Sequence, residues 1–236
     1  EFEPDSLKIS SRFEQQGKPA SKEGWLSPQQ LMARVQLDNL FGTPAQQRRV
    51  SAKFELTPTQ FSFSQYPDHR FITVQDSEQK LASVSQTLDE QQTDADGSAS
   101  FALPLAQYSA GTYYLQLTTE GFDSGGGSSV QHRSMALLSP LPAVVGVKTD
   151  GELSYLKKQQ SRNVEFIAIN NSLEQIALDE LTLKLVEKRP LSSLVKQNDG
   201  TYQYQSIVQD IVISEAPFSI AVAGTAYQLP TDTAGD

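Results

Sequence analysis

The sequence predicts an all-β protein made of two tandem antiparallel β-sandwiches, residues 1–140 and 141–236, the second lacking its C-terminal strands. Three observations carry that expectation. Apolar and polar residues alternate at period 2 in one segment after another, whereas an amphipathic helix would repeat near 3.6. Asp-Gly, Ala-Gly and Asn-Asp-Gly turns separate the segments, and their glycines tolerate the positive φ of a tight turn. Ser139-Pro140-Leu141-Pro142 then divides the chain, because two prolines one residue apart stiffen it and cannot lie inside a central strand. At 236 residues the chain has room for two sandwiches, each needing roughly 100 residues.

In order along the chain, Leu7, Ile9 and Phe13 start a first strand, and a polar loop runs from Gln15 to Gly24. Leu31, Ala33, Val35 and Leu37 alternate with Met32, Arg34, Gln36 and Asp38 in the clearest strand signal. Phe41-Gly42-Thr43-Pro44 is loop, since Pro44 cannot donate to a ladder. Val50, Ala52, Phe54 and Leu56 alternate as the next strand, closed by Pro58. Phe61, Phe63, Phe71, Ile72 and Val74 suggest short strands with irregular connections, and Gln79 to Gln92 fits either a helical turn or another strand. Asp96-Gly97 forms a hairpin turn into a strand marked by Phe101, Leu103 and Leu105. Ala110-Gly111 turns the chain again into a strand with Tyr113, Leu115 and Leu117 on one face. A Gly-rich loop from Ser124 to Ser129 leads to Val130–Leu138, the last strand of the first sandwich.

The second half restarts with Val144 to Val147, a turn at Thr149-Asp150-Gly151, and Leu153 to Leu156. Arg162 to Asn170 reads as a strand buried on both faces. Leu181, Leu183 and Leu185 alternate; Asn198-Asp199-Gly200 turns between Leu191–Val195 and Tyr202–Ile207; Val208–Ile213 and Phe218–Val222 follow. One internal echo links the halves. Phe101, Leu103-Pro104 and Ala110-Gly111 are matched by Tyr227, Leu229-Pro230 and Ala234-Gly235. Two β-units of one type in tandem produce such a match. Aligned on it, the second unit lacks the two strands that follow the first unit's Ala110-Gly111, which leaves an unpaired sheet edge.

Composition excludes several function classes. The formal net charge is −9, which argues against nucleic acid and anionic lipid, since both need clustered Lys and Arg. The chain has no cysteine, so it holds no disulfide, thiolate nucleophile, Cys-ligated zinc or thioester. No apolar run approaches the roughly 18 residues of a membrane span. The start at Glu1-Phe2-Glu3 reads as a piece excised from something longer.

Candidate chemical motifs reduce to structural ones. Asp94-Ala95-Asp96-Gly97 resembles the front of a calcium loop, but Leu105 stands where the bidentate Glu belongs, so a turn is expected. His69, within Asp68-His69-Arg70, and His132 are the only imidazoles; without a Gly-x-Ser-x-Gly elbow they read as loop histidines. Gly125-Gly126-Gly127 lacks the Gly-Lys-Ser/Thr of a phosphate loop. Asn170-Asn171-Ser172 is a glycosylation sequon whose relevance is confined to eukaryotic secretion. Arg48-Arg49 and Lys157-Lys158 are solvated edge charges that discourage sheet aggregation. No catalytic, cofactor-binding or metal-binding residue is assigned, and no cofactor is expected.

Gly24 to Val50 (GWLSPQQLMARVQLDNLFGTPAQQRRV), Ser139 to Lys158 (SPLPAVVGVKTDGELSYLKK) and Leu229 to Asp236 (LPTDTAGD) resemble the bacterial α2-macroglobulin family. The resemblance implies consecutive macroglobulin domains, each a seven-stranded antiparallel sandwich, from the part before the bait region and thioester domain. It implies a periplasmic lipoprotein on the inner membrane that inhibits proteases by trapping them. The protease cuts a bait segment, the molecule collapses around it, and a Cys–Gln thioester captures its lysines. This chain departs from the full pattern: it has no Cys-x-Glu-Gln motif, no lipobox Cys and no bait segment. None of the family's reactive residues transfers to a position here, so the chain is expected to be non-enzymatic scaffold. Proteases, met through the full-length protein, are the implied partners, and for some relatives a penicillin-binding protein. The competing reading is an immunoglobulin-like adhesin or carbohydrate-binding module, with Trp25, Tyr108, Tyr113 and Tyr114 as its candidate aromatic platform.

Overall fold

The computed structural model describes residues 7–21, 23–71, 81–125, 128–151, 161–196 and 200–230. Among the described residues the strands run in the order β1 (Leu7–Gln15), β2 (Lys18–Pro19), β3 (Leu31–Asn39), β4 (Arg49–Pro58), β5 (Arg70–Phe71), β6 (Val84–Thr87), β7 (Gln91–Gln92), β8 (Ser98–Ala102), β9 (Tyr113–Phe122), β10 (Ser129–Leu138), β11 (Ala143–Thr149), β12 (Ser161–Asn170), β13 (Leu178–Lys196), β14 (Tyr202–Ile220) and β15 (Thr225–Pro230). Every named strand pair is antiparallel. A 3-10 turn, Ala106–Tyr108, interrupts the strands, and no helix among the described residues is long and apolar enough to cross a membrane.

The first sandwich packs a sheet ordered β2-β1-β3-β8 against one ordered β10-β9-β4-β6, with β7 also on β4. Period 2 explains the packing. Leu31, Ala33, Val35 and Leu37 all point inward from β3, meeting Val50, Ala52, Phe54 and Leu56 of β4 and Leu115 and Leu117 of β9 in one core. Burying each of the larger side chains contributes about 1.5–3 kcal/mol. Ser11 Oγ and Ser134 Oγ lie 2.6 Å apart where β1 approaches β10, drawing one side of the sandwich together.

The open stretch before the Asp-Gly turn resolves as the two short strands β6 and β7. Ile72 and Val74 lie outside the described residues. Asp96-Gly97 does not close a hairpin: β7 pairs with β4 and β8 with β3, so the turn carries the chain from one sheet to the other. β8 ends at Ala102, ahead of Pro104, while Leu103 and Leu105 stay buried beyond its end.

The second half repeats this topology. β15-β12-β11 mirrors β8-β3-β1, and the ribbon β13-β14 mirrors β4 with β6 and β7. Of the echoed residues, Phe101 lies on β8 and Tyr227 on the matching β15; Leu103-Pro104 follows the end of β8 whereas Leu229-Pro230 closes β15, and Ala234-Gly235 lies outside the described residues. Among the described residues nothing occupies the outer edge of β13, where β9 stands on β4 in the first unit. The segments expected as separate strands between 181 and 222 are one ribbon of two 19-residue strands. A bulge at Ile213 shifts its register between Leu185 and Val186. Pro190 sits mid-strand opposite Val208; with no described strand on β13's other edge, a missing N–H need break no ladder bond there. Phe166 of β12 and Phe218 of β14 pack edge-on at 5.2 Å, anchoring the ribbon's base.

Candidate functional site

The most elaborated feature of the chain is the joint between the two sandwiches. Residues 59–71 leave β4 and reach across to the second sheet, where β5 pairs with β11 (Gly146 opposite Phe71, Val147 opposite Arg70). Two turns shape this segment: Tyr66 N–H donates to Phe63 O at 3.0 Å and His69 N–H to Tyr66 O at 3.2 Å. Phe61, Phe63 and Phe71 thereby gather around Trp25 and close over Val144, Ile167 and Ile169 of the second sheet. Ring centroids of Trp25 and Phe61 lie 4.9 Å apart, Phe61 and Phe63 5.6 Å, and Phe63 and Phe71 5.1 Å edge-on. Each such pair contributes about 0.5–1.5 kcal/mol beyond its buried area.

Several polar groups at the joint find partners across it. Trp25 Nε1 donates to Leu141 O at 2.7 Å and Tyr66 Oη to Leu173 O at 2.8 Å. Trp25 N–H donates to Asn171 O, and Leu26 bridges Leu138. Lys148 and Asp68 pair at 3.3 Å on the exposed rim. Two glycines make the approach feasible. Gly24, at φ +75°, leaves the place of a Cβ to the Asn171 carbonyl oxygen, and Gly146 leaves room for the Phe71 ring.

The residues singled out from sequence are dispersed. Asp94 is a turn residue: its Oδ1 accepts from the N–H groups of Asp96 (2.9 Å) and Ser98 (2.8 Å), so the carboxylate is engaged by its own backbone. No trio of His, Asp or Glu among the described residues could hold a metal ion. His69 lies in the joint's loop beside Tyr66 and Phe71, its Nε2 buried without a hydrogen bond. His132 is on β10 opposite Thr119, and so belongs to a strand rather than a loop. Gly125 stands in the open, and Gly126 and Gly127 fall outside the described residues, as do Lys157 and Lys158. Asn170 caps a turn, its Oδ1 accepting from Ser172 and Glu174 N–H. Arg49 pairs with Glu90 at 3.1 Å and stacks over Phe122 at 3.8 Å, more engaged than a solvated edge charge; Arg48 is half-buried.

The aromatic platform does not assemble. Trp25 and Tyr113 are buried, Tyr108 packs edge-on to Tyr113, and Tyr114 alone is exposed, its hydroxyl 2.9 Å from Met135 Sδ. Among the described residues, Glu55 and Tyr113 are shifted. The Lys53 ammonium, 2.7 Å away, holds the Glu55 carboxyl below the usual range. Burial, with Tyr108 adding to it, pushes the Tyr113 hydroxyl up. Neither is part of a catalytic pair. Sequence reading missed the joint; its four aromatics between 61 and 71 follow no strand or helix period, and only their density in one connection sets them apart.

Comparison with known proteins agrees with this architecture. Residues 15–140 match the family model of the bacterial alpha-2-macroglobulin MG5 domain. The whole chain is 42% identical to an alpha-2-macroglobulin homolog of Yersinia pestis and 39% identical to an alpha-2-macroglobulin of Pasteurella multocida. It spans only 11% and 12% of those relatives' lengths. Its fold superposes on the native conformation of E. coli alpha-2-macroglobulin with a TM-score of 0.59 at 16% identity, covering 98% of this chain and 15% of that one. The E. coli protein activated by porcine elastase gives 0.58 at 17% identity, covering 98% and 20%.

Proposed function

The chain belongs to the bacterial alpha-2-macroglobulin family, and on that premise we propose that it is a scaffold segment of a broad-spectrum protease inhibitor. The parent protein is periplasmic and anchored to the inner membrane as a lipoprotein. A protease cuts its bait segment, the molecule closes, and a thioester captures the protease. This chain supplies neither bait nor thioester and catalyses nothing. It comprises one sandwich to residue 140 and a second from residue 141, whose last two strands come from polypeptide beyond it.

The observation that supports scaffolding is the joint. Its aromatic side chains are sealed between two sandwiches, with Trp25 only 2% exposed, and so hold geometry rather than meet a ligand. A joint of this kind lets two sandwiches move as one body when the parent rearranges. Among the described residues nothing pairs with the outer edge of β13, which supports completion from outside, since a two-stranded ribbon is marginally stable alone. A penicillin-binding protein partner remains part of the proposal for the parent, with no residue of this chain assigned to it.

The test is protease capture. Full-length parent treated with trypsin or elastase should leave the protease active on small substrates and inactive on large ones, while residues 1–236 alone do neither. Failure of the parent to shield large substrates rejects the inhibitor reading. Adding about thirty residues past Asp236, the length of two strands and their turns, should raise the melting temperature; an unchanged value rejects the completion of the second sandwich.

A further inference from the structure

Leu40 and Phe41 form an apolar tip at the pole of the first sandwich farthest from the joint. They are 57% and 97% exposed, so Phe41 is in water on nearly every side. The tip is nevertheless held in shape. Asn39 N–H donates to Thr43 O at 2.8 Å and Gly42 N–H to Asn39 O at 2.8 Å. Asn39 Nδ2 donates to Thr43 Oγ1 at 3.0 Å, and Asp38 bridges Pro44. Gly42 takes φ +81°, the left-handed conformation that reverses the chain. An ordered loop presenting a fully exposed Phe has prepaid the entropy of binding, the property of an anchor residue that fills a pocket.

The placement of the tip selects its occupant. Leu7, the first residue of β1, pairs with Asn39, the residue just before the tip, so β1 opens beside it. The curated relatives are many times longer than this chain, which spans 11–12% of them. At the opposite pole the same sandwich already joins its neighbour by loop aromatics seated on the adjoining sheet. From Asp38 to Gln47 the only charged side chain is the Asp38 carboxylate, whereas a tip entering an anionic bilayer would carry Lys or Arg beside its apolar residues.

We propose that Leu40 and Phe41 are a preformed plug that seats in an apolar socket on the domain preceding this sandwich in the same polypeptide. The proposal rests on the chain being part of a longer protein, and not on what that protein traps. Hydroxyl-radical footprinting of the wild-type full-length parent tests it without a mutation. Oxidation at Phe41 should be slowed about tenfold relative to the urea-unfolded parent, as for a side chain passing from full exposure to burial. Phe41→Ser should lower the parent's melting temperature, and Phe41→Leu should keep most of it. Oxidation of Phe41 at the unfolded rate overturns the plug even in a parent that captures protease. Sedimentation with phosphatidylglycerol vesicles by the wild-type parent but not by Phe41→Ser also overturns it, in favour of a lipid partner.

Discussion

Gly146→Ala probes the joint at its tightest point. A Cβ at residue 146 would lie 2.6 and 2.8 Å from two ring carbons of Phe71 and 3.1 Å from Ile167 Cγ1. Carbon atoms in contact settle at about 3.5–4.0 Å, so the ring would have to withdraw by nearly an ångström. It has nowhere to go: Phe71 is 3% exposed and stands edge-on against Phe63. Overpacking of this kind costs about 1–3 kcal/mol, and replacing a strand glycine with alanine returns roughly 0.5–1 kcal/mol. The net expectation is a loss on the order of 1–2 kcal/mol. Urea unfolding followed by Trp fluorescence reads it directly, because Trp25 is the only tryptophan and lies within the joint. Phe71→Leu alone should cost about 1–2 kcal/mol. In the double variant the new methyl group occupies space the ring has left, so its loss should fall short of the sum of the two single losses by more than about 0.5 kcal/mol. Additive losses, or a Gly146→Ala protein as stable as wild type, would refute the packing argument.

Gly24→Ala drives a methyl group into the Asn171 carbonyl at φ +75° and should cost more than about 1–2 kcal/mol, the penalty of the left-handed backbone alone; the urea midpoint checks it. Asp94→Ala removes two hydrogen bonds from the turn before β8 and should cost about 1–2 kcal/mol. Calcium should leave the wild-type melting temperature where it is, and a calcium-dependent rise would restore the cation-loop reading. Tyr113 holds its proton more tightly folded than unfolded. Its contribution is therefore intact below the unfolded value of about 10 and is lost as pH rises through the higher folded value. An alkaline denaturation series should show a shallower decline for Tyr113→Phe than for wild type, and parallel declines would contradict that cause.

The first sandwich was legible in the sequence because one of its faces is core and the other solvent. Leu31 to Leu37 and Val50 to Leu56 each announce their strand by alternation, and the structure buries the predicted residues. The Asp96-Gly97 turn was legible as a turn but not as a crossing between sheets, because turn chemistry is local and sheet membership is decided by distant partners. The ribbon was read in pieces for a similar reason. Pro190 and Pro217 look like strand breakers, yet both are paired within the ribbon, opposite Val208 and Thr182. The joint was invisible as a site because Phe61, Phe63, Tyr66 and Phe71 follow no period; their order is imposed by the sheet they cover.

The strand lining the edge of the first sheet has a different source in each of the two units, and that difference has a consequence for folding. In the first sandwich the outer edge of β1 is lined by β2, folded back from the same strand's own end. In the second, the outer edge of β11 is lined by β5, supplied by the first unit. The second sheet thus borrows both an edge strand and the aromatic cover of one face, while Phe61, Phe63 and Phe71 take no part in the core of the first sandwich. Dependence should run one way. Replacing residues 61–71 by a Gly-Ser linker of equal length uncovers Val144, Ile167 and Ile169, three buried side chains worth about 1.5–3 kcal/mol each. Amide exchange at Ile167 and Ile169 should then accelerate sharply, while Leu115 and Leu117, wholly within the first core, keep their protection. Loss of protection at both sets together would show that the first sandwich leans equally on the second, and the borrowed strand would no longer account for the order of their stabilities.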